Sequence, residues 1–119
     1  MQKITFYNLS KETLVGDAVD IADTAAARNR GLLKHTGLAD GEGLWIVPCE
    51  AIHTFWMKFA IDVVFLDKNK KVTKVVAHLK PSRLAMSWRA RSVVELPAGR
   101  AAATRTEPGD QLEIRRPQS

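Results

Sequence analysis

Ile61-Asp62-Val63-Val64-Phe65-Leu66, then Asp67-Lys68-Asn69-Lys70-Lys71, then Val72-Thr73-Lys74-Val75-Val76-Ala77-His78-Leu79 follow one another without a gap. β-Branched and aromatic residues dominate the outer two segments, and polar residues fill the middle one. This pattern predicts a β-hairpin that joins Val63–Leu66 to Val72–Ala77. Within the turn, Asn69 is the residue best suited to a left-handed backbone, because its short amide side chain bonds locally.

Short strand signals extend outward from the hairpin. Upstream, Leu44-Trp45-Ile46-Val47 is apolar on both faces, as in a buried strand, and Ile52 to Met57 forms a second strong block leading into the hairpin. Ile4-Thr5-Phe6-Tyr7 alternates, and Ala18 to Ala22 is a weaker candidate. Downstream, Val93-Val94-Glu95-Leu96 is closed by Pro97-Ala98-Gly99, and the turn Pro108-Gly109-Asp110 feeds Gln111 to Ile114. One short helix is expected near residues 24–33, capped by Thr24 or Asp23 and ending between Gly31 and Gly37. The expectation is a mainly β chain: a β-sandwich or open barrel of about seven to eight short strands with one helix. An α/β fold would need more helices.

The chain has 119 residues, no internal repeat and no Ser/Gly/Pro-rich linker, which points to a single domain over 1–119 with a frayed tail at 116–119. Its 45% hydrophobic content excludes a disordered chain. A lone cysteine, Cys49, excludes a disulfide framework and any site of several thiolates. Gathering Cys49 and His53 with His35 or His78 would take folding alone, since no HxxH or CxxC spacing exists, so no metal or other cofactor is expected. The N-terminus lacks the apolar stretch of a signal peptide. The most apolar window, Leu44 to Leu66, contains Glu50, Lys58 and Asp62, which are costly inside a bilayer. It reads as core, with a cytoplasmic location and no membrane partner expected.

The net charge of +5 is unevenly spread: residues 1–57 carry −2 and residues 58–119 carry +7. A basic half can attract nucleic acid or a small anion, or simply keep the protein soluble. The segment Pro81 to Arg91 reads as a long, partly exposed loop with Arg83, Arg89, Arg91 and a stacking candidate, Trp88.

Five blocks occur in order: Arg28-Asn29-Arg30-Gly31-Leu32-Leu33; Glu42-Gly43-Leu44; His53-Thr54-Phe55-Trp56-Met57 running into Ile61 to Asp67; Val94-Glu95-Leu96-Pro97-Ala98-Gly99; and Gly109-Asp110-Gln111-Leu112. Together they resemble the bacterial and archaeal family called domain of unknown function 192, over roughly residues 15–115. Pro48-Cys49 ahead of His53-Thr54-Phe55 resembles one branch of it. The chain differs from that branch at Ala60, where proline is common, and at Lys70, where glycine is common. The resemblance implies a β-sandwich and implies no activity.

Cys49 and His53 are the candidate catalytic pair. In an extended strand they would lie about 13 Å apart, and only a turn at Glu50-Ala51 would let them meet as thiolate and base. Structurally, the same two residues can be a small buried hydrophobe beside a histidine bonded to backbone. Glu95 sits inside an apolar strand and is expected to need a guanidinium partner, so Arg28 or Arg30 is expected to bridge to Glu95 or Asp62. On that reading Glu95→Gln lowers stability. Asp62 either faces solvent or joins a polar cluster with His53 and an arginine. Phe55 and Trp56, adjacent in a strand, would point to opposite faces, leaving Trp56 able to stack on a sugar or base. Phosphate-cradling glycine loops, GxSxG and HExxH are absent. The leading expectation is a binding or accessory module for a small anionic or carbohydrate-like ligand at Arg28, Arg30, His53, Trp56 and Asp62, with Glu95 structural. A cysteine-dependent enzyme and a nucleic-acid-binding module are the alternatives.

Overall fold

The computed structural model of the chain describes residues 3–117, so Gln118 and Ser119 of the expected tail lie outside the described residues. The elements run β1 (Ile4–Asn8), β2 (Thr13–Ala22), α1 (Ala25–Arg30), β3 (Glu42–Ile46), β4 (Ala51–His53), β5 (Ile61–Leu66), β6 (Val72–Leu79), β7 (Leu84–Met86), β8 (Ser92–Pro97), α2 (Arg100–Ala103) and β9 (Leu112–Arg115). Seven strands form one sheet in the order β6-β5-β8-β3-β2-β1-β9, while β4 and β7 pair as a separate ribbon. Only β2 and β3 run parallel, and the connection between them carries α1.

The sheet curls until its two edges touch. Lys71 bridges Gln111, the Val72 N–H donates to the Asp110 carbonyl at 2.8 Å, and the Leu112 N–H donates to the Lys70 carbonyl at 3.0 Å. The mainly β expectation therefore takes its open-barrel form, a curled half-barrel within a single domain.

Strand alternation sorts the apolar side chains into two cores. Phe6, Val15, Val19, Trp45, Val64, Leu66, Val94 and Leu96 fill the inside of the curl. Leu44, Ile46, Val63, Phe65 and Val93 face outward, where Leu32, Ile52 and Met57 cover them. This double burial explains why β3, β5 and β8 read as continuous apolar runs. Gly43 is required by close approach: a Cβ there would lie 2.8 Å from the Glu95 carbonyl oxygen.

The hairpin forms as expected, with Val63 opposite Val76 and Phe65 opposite Lys74. Its left-handed residue, however, is Lys70 (φ 64°) rather than Asn69. The Asp67 carboxylate accepts the Asn69 and Lys71 N–H groups, and the Lys70 N–H donates to the Asp67 carbonyl, so the left-handed position falls at the end of the turn.

Three other expectations change. The Ile52 to Met57 block is not one strand, because β4 ends at His53. The buried Thr54 hydroxyl donates to the Lys80 carbonyl at 2.6 Å and accepts the Arg83 N–H at 2.9 Å, which turns the chain. The segment from Pro81 to Arg91, expected to be a loop, contains β7, and α2 adds a second helix after Gly99.

Candidate ligand-binding cleft

A cleft of about 390 Å³ opens on the outer face of the sheet. The α1 end, the segment Pro48 to His53, Met57 and Glu95 line it. Thr24 starts α1 by accepting the Ala27 N–H at 3.1 Å. Gly31 ends it at φ 48°, ψ −130°, a conformation that would strain any residue with a Cβ. The helix buries none of its own residues; Leu32, just beyond it, is the buried anchor. Arg28 and Arg30 are thereby held at the cleft, together with Cys49 and His53. Four of the site residues expected from sequence therefore share one concavity.

Glu95 is the fifth member. On β8 it pairs in register with Leu44 of β3 and Val63 of β5, so alternation places its side chain in the outer apolar core. Only 3% of it is exposed, and Oε1 has no hydrogen-bond partner among the described residues. Removal from water penalises the charged form and pushes its pKa up to about 7.

The expected bridge from Arg28 or Arg30 to Glu95 or Asp62 is corrected: no such ion pair exists among the described residues. Arg28 spends a guanidinium N–H on the Asp23 carbonyl at 3.1 Å. Asp62 is fully buried on the inner face and has other partners. It accepts the His78 N–H at 2.9 Å, the Gly99 N–H at 3.1 Å and the Ala101 N–H at 2.8 Å. Asp62 therefore ties β5 to β6 and to the start of α2, and it neither lines the cleft nor faces solvent. Sequence could not separate it from Glu95, because both are carboxylates flanked by apolar neighbours; only the alternation phase distinguishes inner from outer face.

Trp56 also lies outside the cleft lining. It sits in the turn after β4 at φ 66°, 80% exposed, with Phe55 at a ring distance of 6.1 Å. The two rings are neighbours at a turn rather than occupants of opposite strand faces. His53 meets Phe55 at 5.5 Å and Trp56 edge-on at 6.4 Å.

The Cys49 thiol donates to the Ala51 carbonyl at 3.1 Å. Burial raises its pKa, and the backbone hydrogen bond at Ala51, with a smaller effect from Arg28, offsets this only in part. An activated thiolate needs a shift in the opposite direction. No group of three or more metal-ligating side chains is gathered among the described residues.

The fold and cleft define a single-domain, curled β protein with a mixed-charge concavity on the sheet's outer face. The DUF192 family (uncharacterized ACR) matches residues 8–114, and the chain belongs to that family. A UPF0127 protein of Pyrococcus abyssi is 35% identical over 113 residues, covering 89% of this chain and 93% of the relative. A UPF0127 protein of Pyrococcus horikoshii is 36% identical over 113 residues, covering 89% and 95%. Two solved structures share the fold. One is a protein of unknown function from Novosphingobium aromaticivorans (TM-score 0.80, 23% identity, 92% of this chain and 82% of that one). The other is a putative transcription regulator from Sinorhizobium meliloti (TM-score 0.82, 19% identity, 95% and 92%). No helix among the described residues is long and apolar enough to cross a membrane.

Proposed function

We propose that the protein is a binding module whose cleft takes a small, hydroxylated anion of carbohydrate-like chemistry. The observation that carries this reading is the Glu95 carboxyl, which is buried at the cleft with one oxygen unpartnered. A buried acceptor without a partner costs about 1–3 kcal/mol, and a ligand hydroxyl reaching Glu95 would recover that cost. Arg28 and Arg30 supply the complementary charge for a carboxylate or phosphate on the same molecule. Ile46, Ile52 and Met57 offer an apolar wall for the carbon skeleton.

Thermal denaturation with glucuronate and ribose 5-phosphate, against uncharged glucose, tests the reading at low ionic strength. The anionic sugars are expected to raise the melting temperature of the wild type. The Arg28→Ala/Arg30→Ala variant should lose most of that rise while keeping its own unliganded melting point near wild type, since neither arginine has a buried partner. An equal response to glucose, or a response unchanged in the double variant, would rule the cleft out as an anion site.

A further inference from the structure

On the ribbon of β4 and β7, Ile52 and Ala85 pack inward, so the period of two turns Leu84 and Met86 outward. Leu84 is 72% exposed and Met86 is 59% exposed. Trp56 follows β4 at the Leu84 end, and Trp88, 77% exposed, follows β7 at the Met86 end. Four large, exposed apolar side chains thus belong to this one ribbon and the turns that follow its two strands, a concentration that isolated surface hydrophobes do not explain.

Hydrogen bonds tie the ribbon to the body of the fold. Thr54 ties the ribbon's base to Lys80 and Arg83, Thr73 and Ser87 share a hydroxyl contact at 2.9 Å, and the Lys74 ammonium donates to the Met86 carbonyl at 2.9 Å. Trp56 is kept outward in a left-handed conformation that a bulky residue adopts only under constraint. Around the ribbon, Lys58, Lys74, Lys80, Arg83, Arg89 and Arg91 are all exposed. From Glu50 to Arg91 the only acidic residues are Glu50, Asp62 and Asp67; Asp62 is buried, Asp67 belongs to the hairpin turn, and Glu50 is the one exposed carboxylate beside the ribbon, at its Met86 end, against six exposed cations.

We infer that the ribbon of β4 and β7 is a peripheral docking surface for an anionic lipid bilayer, with Trp56, Leu84, Met86 and Trp88 entering the headgroup region and the surrounding cations pairing with lipid charge. Indole rings settle at the membrane–water interface, and nearby Lys and Arg side chains add attraction to anionic headgroups. A sequence that spans nothing can still lie on a membrane in this way. Nucleic acid fits less well, because Leu84 and Met86 offer no π-face to a base and the Trp88 ring is already covered by Arg89 at 4.9 Å. A second copy would bring two cationic rims face to face.

The test is cosedimentation of the full chain with vesicles of phosphatidylcholine alone and with about 30% phosphatidylglycerol, read also by tryptophan emission. Trp45 is buried, so Trp56 and Trp88 carry the response. Partitioning onto the anionic vesicles should be at least about tenfold stronger, with a blue shift, and should fall at about 0.5 M salt. Leu84→Ser/Met86→Ser should weaken it about tenfold with an unchanged circular dichroism spectrum. Should that variant misfold, Trp56→Ser/Trp88→Ser takes its place. Several results would overturn the inference: no sedimentation, equal binding to neutral vesicles, undiminished binding by a folded variant, an oligonucleotide gel shift without vesicle binding, or a dimer that buries these four side chains.

Discussion

Replacing Glu95 by glutamine isolates the cost of one buried carboxyl. In the folded protein burial raises its pKa from the ordinary 4.5 to about 7, whereas the unfolded chain keeps the ordinary value. Between those two pH values the folded state holds a proton that the unfolded state has released. Stability therefore falls as pH rises through this window and levels off above it. A shift of this size corresponds to about 3 kcal/mol of stability present below pH 4.5 and lost above pH 7. Glutamine has nearly the same shape and no charge to release, so Glu95→Gln should match wild type near pH 4.5. Near pH 7.5 it should exceed wild type by up to about 3 kcal/mol, or about 12 °C in melting temperature for a chain of this size. Urea unfolding of both proteins across this pH range measures the difference directly. The sign is opposite to that expected from a bridge to Arg28 or Arg30, which glutamine would break. A difference independent of pH, or a glutamine variant less stable at pH 7.5, would refute the account of Glu95 as an unpaired buried acid.

Three further outcomes follow from the geometry. Asp62→Ala leaves the His78, Gly99 and Ala101 N–H groups without their acceptor and should cost about 3–5 kcal/mol by denaturant unfolding; a loss under about 1 kcal/mol would mean that water or a shifted backbone satisfies them. Cys49, with its thiol pKa raised by burial, should react slowly with iodoacetamide at pH 7 and faster as pH rises, whereas rapid, pH-independent alkylation would mark it as an activated nucleophile. Lys70→Gly relieves a left-handed residue in the hairpin turn and should add about 0.5–1 kcal/mol, checked as a small rise in melting temperature.

Composition and alternation carried most of the fold. The runs of β3, β5 and β8 announce themselves as strands because both of their faces are buried, and Thr24 and Gly31 mark the limits of α1. The breaks were harder to see. Ile52 to Met57 looks like an uninterrupted strand, but the hydroxyl of Thr54 finds partners at Lys80 and Arg83, some 26 and 29 residues away, and ends it. Leu84-Ala85-Met86 is too short to stand out within a basic loop and becomes a strand only because β4 is there to receive it. The cleft was legible in part. Arg28, Arg30, Cys49 and His53 come together as grouped, while Asp62 and Glu95 exchange prominence. Their roles depend on which face of the sheet each one meets, a phase that a single strand's sequence does not set.

The contact between Lys71 and Gln111 has a consequence for how the chain is made. It joins the hairpin at the middle of the sequence to the last strand, so the half-barrel cannot close until β9 has been synthesised. Until then β1 presents an open row of amide and carbonyl groups on the side that β9 later covers. A nascent chain stalled before residue 109 would offer the β1 edge as a template for neighbouring polypeptides, and pairing with β9 is the step that takes that edge out of reach.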